Sequence, residues 1–335
     1  MTASPALSVI LATPDNYQTI RKTVQYLRAQ TVHKQIELLV VAPSAATLGL
    51  VEQDLEGFHS SCVVEVGSIR SAGAANAAGI RRARAPVVVL AEDHSFPRPG
   101  WAEALLQAHS QPWAAVGPAI LNANPQNSIS WADLLMGYGP WIEPAPAGEV
   151  DFLPGHNSSY KRELLLQYGP ALDAMLEAET VLHWDLRAKG HRLYLEPAAQ
   201  TAHTNFSLAS SWLNACFHSG RTFAATRAQQ GGWSWLRRLA YAGGSPLIPL
   251  VRLWRILCDL SRPGRPLGLG IRVAPQLLLG LSVDGLGQMV GYAFGAGAAR
   301  QRLMEYEFHR DRHSAQSPIH AGPVEETTEQ SAPRK

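Results

Sequence analysis

Cysteine is scarce in this chain: three residues in 335, Cys62, Cys216 and Cys258, widely scattered and never in C-x-x-C spacing. That excludes a disulfide framework and a cysteine zinc site, and it points to a reducing compartment. An excess of one charge is also missing. Twenty-nine Lys and Arg stand against 27 Asp and Glu, a formal net charge of +2, so nothing calls for a nucleic-acid partner. The N-terminus runs directly into an apolar strand pattern, and no signal peptide is expected. After that strand comes TPDNYQT, residues 13–19, instead of G-x-G-x-x-G. The pyrophosphate cradle of a nicotinamide oxidoreductase is therefore absent.

What is present reads as α/β. LSVILATP at 7–14 and IELLVVAPS at 36–44 are short apolar runs closed by turn residues, as buried strands are. A helical stretch over 17–30 separates them. RSAGAANAAGIRRA at 70–83 is rich in small residues at helical spacing and predicts a helix lying close on a sheet. The most informative stretch follows at 85–101, APVVVLAEDHSFPRPGW. Its apolar run predicts a third strand, ending in Glu92, Asp93 and His94. The alternation implies parallel strands with crossover helices. Acidic groups at the C-terminal end of such a strand sit where α/β sheets bind ligands. Carboxylates and an imidazole are suitable donors for a divalent cation, which could neutralise the diphosphate of a nucleotide.

The order and spacing of these pieces resemble the family-two glycosyltransferases, inverting enzymes of GT-A fold, over about residues 6–225. The resemblance implies a nucleotide-binding turn at Thr13 and Pro14, with Ser44 closing the second strand. It implies a G-x-x-x-N-x-x-G helix, here Gly73, Asn76 and Gly79, preceded by Arg70 near the phosphates. Glu92-Asp93-His94 stands where an Asp-x-Asp metal motif is usual. On this reading Asp93, His94 and the late His203 hold the metal, and Glu92 faces the nucleotide. The loop PGHNSSY at 154–160 would line the acceptor pocket through Gly155, His156 and Asn157. Glu179, counted back from Gly190, takes the place of the catalytic base, and Glu177 is its close rival. On one helix the two would point about 200° apart, so only one faces the site. Arg221 is expected to reach the diphosphate. Trp131, Trp141 and Trp184 are candidates for stacking on sugar or for packing.

Two departures stand out. The turn Ala42-Pro43-Ser44 lacks the acidic residue the family often uses to hold the base. His94 replaces the last Asp of the metal motif, and imidazole favours Mn²⁺ over Mg²⁺. The implied cofactor is a divalent cation, Mn or Mg. The implied partners are a nucleoside-diphosphate sugar, UDP-sugar foremost, and a glycan or lipid-linked acceptor. The departures leave a second reading open, a non-catalytic nucleotide-binding or membrane scaffold.

The C-terminal third changes character. Residues 243–258 and 267–299 form two apolar runs flanked by Arg252, Arg255, Arg262, Arg265 and Arg272. The second approaches the roughly 20 residues of a bilayer span, but Asp284 and Gln288 interrupt it. Basic and aromatic flanks suit a membrane interface. A soluble helical subdomain is the alternative. The expected organisation is a GT-A domain over 1–227, an apolar membrane-associating helical region over 228–313, and a disordered tail over 314–335. The expected location is the cytoplasmic face of a membrane, peripheral or partly inserted.

Overall fold

The computed structural model describes residues 4–50 and 52–314, so 315–335 of the expected tail lie outside the described residues. The strands are β1 (Leu7–Ala12), β2 (Ile36–Ala42), β3 (Ser60–Glu65), β4 (Val87–Ala91), β5 (Ser95–Pro97), β6 (Ala115–Asn122), β7 (Gly148–Val150), β8 (Ser159–Lys161) and β9 (Leu193–His203). The helices of the first half are α1 (Tyr17–Arg28), α2 (Ala45–Leu48), α3 (Ala72–Arg82), α4 (Trp101–Ala108), α5 (Ser128–Tyr138), α6 (Arg162–Leu166) and α7 (Leu172–Met175). Then come α8 (Glu179–Ala188), α9 (Ala209–Gln230), α10 (Trp235–Gly244), α11 (Ile248–Leu260), α12 (Leu267–Arg272), α13 (Ala274–Phe294), α14 (Ala299–Phe308) and α15 (Arg310–His313). The α/β expectation holds, with a helical C-terminal region.

The strands form one mixed sheet in the order β3-β2-β1-β4-β8-β6-β9-β5, with β7 on β9. The β3-β2-β1-β4 half is parallel, with Leu7 in register with Ile36 and with Val87. Side chains alternate across a strand, so both faces of β1 need cover. Ile10 and Ala12 join α3 through Ala75, Ala77 and Ile80. Val9 and Leu11 join α1 and α4 through Ile20, Val24, Trp101 and Leu105. Strands covered on both faces read as continuous apolar runs, which is why β1, β2 and β4 were legible. The small residues of α3 are needed for close approach: a Cβ on Gly79 would lie 2.4 Å from Ile10 Cγ2. Beyond β4, the three-residue β8 runs antiparallel to both β4 and β6, and the longer β6 and β9 pair in parallel.

In the C-terminal third, α13 lies along α9. A Cβ on Gly287 or Gly291 would meet the carbonyl oxygens of Phe217 and Arg221 at 2.2 and 2.3 Å, so glycine is what lets the helices touch. Asp284, expected to disrupt a bilayer span, is paired with Arg252 at 2.8 Å and accepts from Gln288 at 2.8 Å. Among the described residues one helix, α13, is long and apolar enough to cross a membrane by length and composition, and half of its apolar window is buried against the rest of the protein. The boundary expected at residue 227 falls inside α9.

A carboxylate and histidine centre at the strand ends

Glu92 follows β4 directly and is the hub of the site. Its Oε1 lies 3.5 Å from His94 Nε2 and 3.7 Å from His156 Nδ1, and its Oε2 lies 3.6 Å from His203 Nε2. Ser95 Oγ and Asn157 Nδ2 donate to Oε2 at 2.8 and 2.9 Å. Burial raises the Glu92 carboxyl, but the charge of His156, with the Ser95 hydrogen bond, outweighs it and holds the carboxyl well below the usual carboxylate range. A buried carboxylate so surrounded stays charged.

Glu92, His94 and His203 are all buried, and each offers a ligand atom within 4.8 Å of the others. Both imidazoles are oriented from behind. His94 Nδ1 donates to Asp93 Oδ1 at 2.6 Å, and His203 Nδ1 donates to Asn205 Oδ1 at 2.8 Å. Those bonds fix the two ring orientations and turn each Nε2 toward Glu92. Burial depresses His203 to about 3, so it is neutral, as a metal ligand must be. His94 Nε2 is buried with no hydrogen-bond partner. A remote nitrogen anchored to a carboxylate or amide and a free near nitrogen is the pattern of metal-ligating histidines. The centre therefore fits a divalent cation.

This arrangement differs from the sequence expectation at Glu92 and Asp93. Asp93 was expected as a ligand, yet its side chain turns behind His94 and orients it. Glu92, expected on the nucleotide, joins the two histidines instead. Successive side chains at a strand end diverge, so only one of two adjacent carboxylates can face the cluster.

Glu179 opens α8 on the other side of His156, whose Nε2 lies 3.5 Å from Glu179 Oε1. Burial pulls His156 down, but the carboxylates of Glu179 and Glu92 outweigh it and raise it to about 9, so it bridges them as an imidazolium. Burial raises the Glu179 carboxyl as well. Its Oε1 is buried and accepts no hydrogen bond. It lines a cavity of about 210 Å³ together with His156, Glu177, Arg300 and Glu307. Gly155 makes room for it: a Cβ there would fall 2.7 Å from the Glu179 carboxylate. Glu177 precedes α8 instead of sharing it, and its carboxylate accepts from Ser71 Oγ beside Gly73.

The loop carrying Gly155 and His156 is held by residues the sequence reading passed over. Leu153 N–H donates to His183 Nδ1 at 3.4 Å, so His183 Nε2–H points at Tyr160 Oη, 2.9 Å away. Tyr160 Oη in turn donates to Gly155 O at 3.4 Å. His183 is fully buried, and burial lowers it to about 3. A single histidine in a helical pattern carries no sequence signal for such a role.

The remaining candidates scatter. Asn76 borders the cavity between β1 and β4 with Glu92 and Asp93. Thr13 is buried, and its Oγ1 accepts from Asp15 N–H, shaping the Pro14 turn. Ser44 caps α2 through Thr47 N–H, and Arg70 is exposed before α3. Asn157, expected in the acceptor pocket, sits at φ 66° and braces Glu92 instead. Arg221 does not join the centre. Its Nε donates to Gly295 O at 2.9 Å, because close α9–α13 packing directs it to the end of α13.

Residues 8–169 match a family model described as Glycosyl transferase family 2. No curated protein matches the chain. Among solved structures, the mannosyltransferase PcManGT from Pyrobaculum calidifontis, in complex with GDP-Man and Mn²⁺, is similar at 17% identity and a TM-score of 0.50, covering 90% of this chain and 88% of that one. TarS 1–349 of S. aureus is similar at 15% identity and a TM-score of 0.45, covering 89% and 92%. GalNAc-T7, solved with UDP, GalNAc and Mn²⁺, is 12% identical with a TM-score of 0.45, covering 61% of this chain and 44% of that one. This chain thus spans under half the length of that last structure. The architecture is the curled, helix-flanked sheet typical of GT-A folds.

Proposed function

We propose that this chain is a metal-dependent glycosyltransferase of family two, moving a sugar with inversion from a nucleoside-diphosphate donor to a glycan or lipid-linked hydroxyl. The observation that carries the reading is the Glu92–His94–His203 cluster set opposite Glu179, with His156 between them. The family match over 8–169 supports it and contains Glu92, His94 and His156.

Glu92, His94 and His203 would hold the cation, and two imidazoles favour Mn²⁺ over Mg²⁺. When bound, such an ion supplies Lewis-acid stabilisation to a leaving diphosphate. PcManGT was solved with Mn²⁺ and GDP-Man. A UDP-sugar is the first donor to test here, with a GDP-sugar beside it, since the turn after β2 lacks the acidic residue that would hold a base. Glu179 takes the proton from the acceptor hydroxyl. Glu179 lines the cavity, and burial moves its carboxyl toward the pH at which a general base works best. His156 holds Glu179 from one side.

The acceptor is proposed to be membrane-borne, with the chain docked on a cytoplasmic membrane surface. Trp235, Leu250, Trp254 and Phe294 are exposed on α10, α11 and α13, and Arg237 and Arg255 are exposed among them. Exposed aromatic and apolar groups with basic neighbours suit an anionic interface.

The test is release of UDP or GDP from sugar nucleotides with Mn²⁺, for wild type and Glu179→Gln. Turnover should fall by about 10² to 10⁴ with donor binding retained. Normal turnover in the variant would remove Glu179 as the base. No release by wild type from any sugar nucleotide, with or without acceptor, would leave the scaffold reading.

A further inference from the structure

The place where a donor nucleotide should lie is already filled by the chain itself. Ala12 at the end of β1, Asn76 of α3 and Glu92-Asp93 after β4 border a cavity of only about 20 Å³. That is room for about one water, whereas small-molecule sites run to about 300–1,000 Å³. The residues that fill it are Glu307 and Phe308, the end of α14. Phe308 is 6% exposed and belongs to the apolar cluster of Ile10, Ala12, Val41 and Ala75. The Glu307 carboxylate comes within 4.8 Å of the ligand atoms of Glu92 and His156.

Both apolar and polar contacts hold this segment down: Met304 and Tyr306 pack against the neighbouring apolar clusters, and charged residues pair around them. Of the ten residues of α14 only Ala299 and Phe308 are buried. His309 Nε2 lies 2.9 Å from Asp15 Oδ2, and Arg312 lies 3.8 Å from the same oxygen, beside the Thr13-Pro14 turn. Arg310 reaches Asp133 at 3.6 Å and lies over the Phe206 ring. His313 O accepts from the N–H groups of Ser207 and Leu208. The pairs on Asp15 are partly exposed, and such pairs are individually weak and salt-screened, whereas Arg310 is buried.

We infer that residues 299–313 form an autoinhibitory strap over the donor cleft, which a nucleoside diphosphate must displace in order to bind. The inference rests on the glycosyltransferase reading. Phe308 occupies the apolar floor at the ends of β1 and β2, where a planar base would lie. Glu307 sets an anion against Glu92 and His156, on the side where the diphosphate must arrive. The strap and the nucleotide are therefore alternatives for one volume and one set of charges. Binding to such a protein is weakened by the fraction of molecules with the strap open. Whatever loosens the strap should tighten nucleotide binding.

Binding of UDP and GDP with Mn²⁺ to the full chain, by calorimetry, tests this on wild type, Phe308→Ala and Arg312→Ala. The first variant empties the cleft floor. The second removes only an exposed anchor outside it, which keeps the test open should Phe308→Ala fail to fold. Affinity should rise about tenfold or more for Phe308→Ala and about twofold to threefold for Arg312→Ala. In wild type, nucleotide should speed hydrogen exchange of the amides over 300–308. Unchanged or weaker binding in both folded variants, or strap amides that become protected, would overturn the strap and leave the transferase reading standing. No nucleotide bound by wild type or either variant would overturn both.

Discussion

Glu92→Gln and Asp93→Asn separate a cation ligand from the residue that orients one. Glu92 presents its two oxygens to His94 Nε2 and His203 Nε2 at 3.5 and 3.6 Å. Two donors sharing an ion, each at about 2.0–2.2 Å, sit no more than about 4.4 Å apart, so both contacts are short enough. Asp93 touches only the far nitrogen of His94, at 2.6 Å. Asparagine can still accept that Nδ1–H, so Asp93→Asn loses a charge and keeps a bond. Losses of this kind cost about 10-fold to 100-fold in metal affinity, or about 1.4–2.7 kcal/mol. Glu92→Gln removes the anion that both histidines face, and Mn²⁺ binding should fall beyond measurement. The same change takes one of its two carboxylates from the His156 imidazolium and leaves it Glu179, so the metal-free variant should also melt somewhat lower. Mn²⁺ binding is read by the loss of free-ion signal in electron paramagnetic resonance, with no nucleotide present. Melting curves in chelator separate folding from binding. If Asp93→Asn abolishes binding and Glu92→Gln merely weakens it, Asp93 is the ligand and the geometry argument fails.

Gly155→Ala should place a methyl 2.7 Å from the Glu179 carboxylate; kcat should drop about 100-fold, as for a misplaced group of about 1 Å, and donor affinity should hold. An equal fall in both would remove the selective effect. His183 and His109 are buried with values near 3 and 4, below the ordinary 6.5, so the unfolded chain takes up protons first as pH falls. The stability this gives is complete above pH 6.5 and is lost on acidification, by about 1.4 kcal/mol per pH unit for each histidine. Denaturant titrations from pH 7 to 4.5 should show that slope, and His183→Gln should flatten it by one proton's worth; an unaltered slope refutes the assignment. Wild type should co-float with phosphatidylglycerol vesicles, and Leu250→Glu with Trp254→Glu should weaken this at least about tenfold, from the apolar burial lost. Equal flotation of the variant would remove this surface as the docking face.

Much of the fold was legible because one physical constraint repeats. Strands covered on both faces must be apolar throughout, so β1, β2 and β4 stood out, and the small residues of α3 announced close packing. β7 and β8 have three residues each and run antiparallel to their neighbours, too short for any period to register. The site was half legible. Glu92, His94, His203 and Glu179 were named from motif order, with the two histidines as ligands and Glu179 as base, but which of Glu92 and Asp93 faces the histidines was not, because it depends on which way each side chain turns. Arg221 shows the limit: its position after His203 suggested the diphosphate, and helix packing sent it to Gly295.

The sequence by itself determined what local pattern can encode: an α/β sheet with carboxylates and imidazoles at its strand ends, a GT-A-like order of motifs, and an apolar C-terminal third. Only the tertiary structure decided which of Glu92 and Asp93 faces the histidines. Only it brought His183 under the loop of Gly155 and His156 and laid Glu307 and Phe308 against strand ends more than 200 residues earlier. The physical reason is that strand and helix periods are set by neighbours along the chain. A site is set by distances between segments that the chain does not place until it has folded.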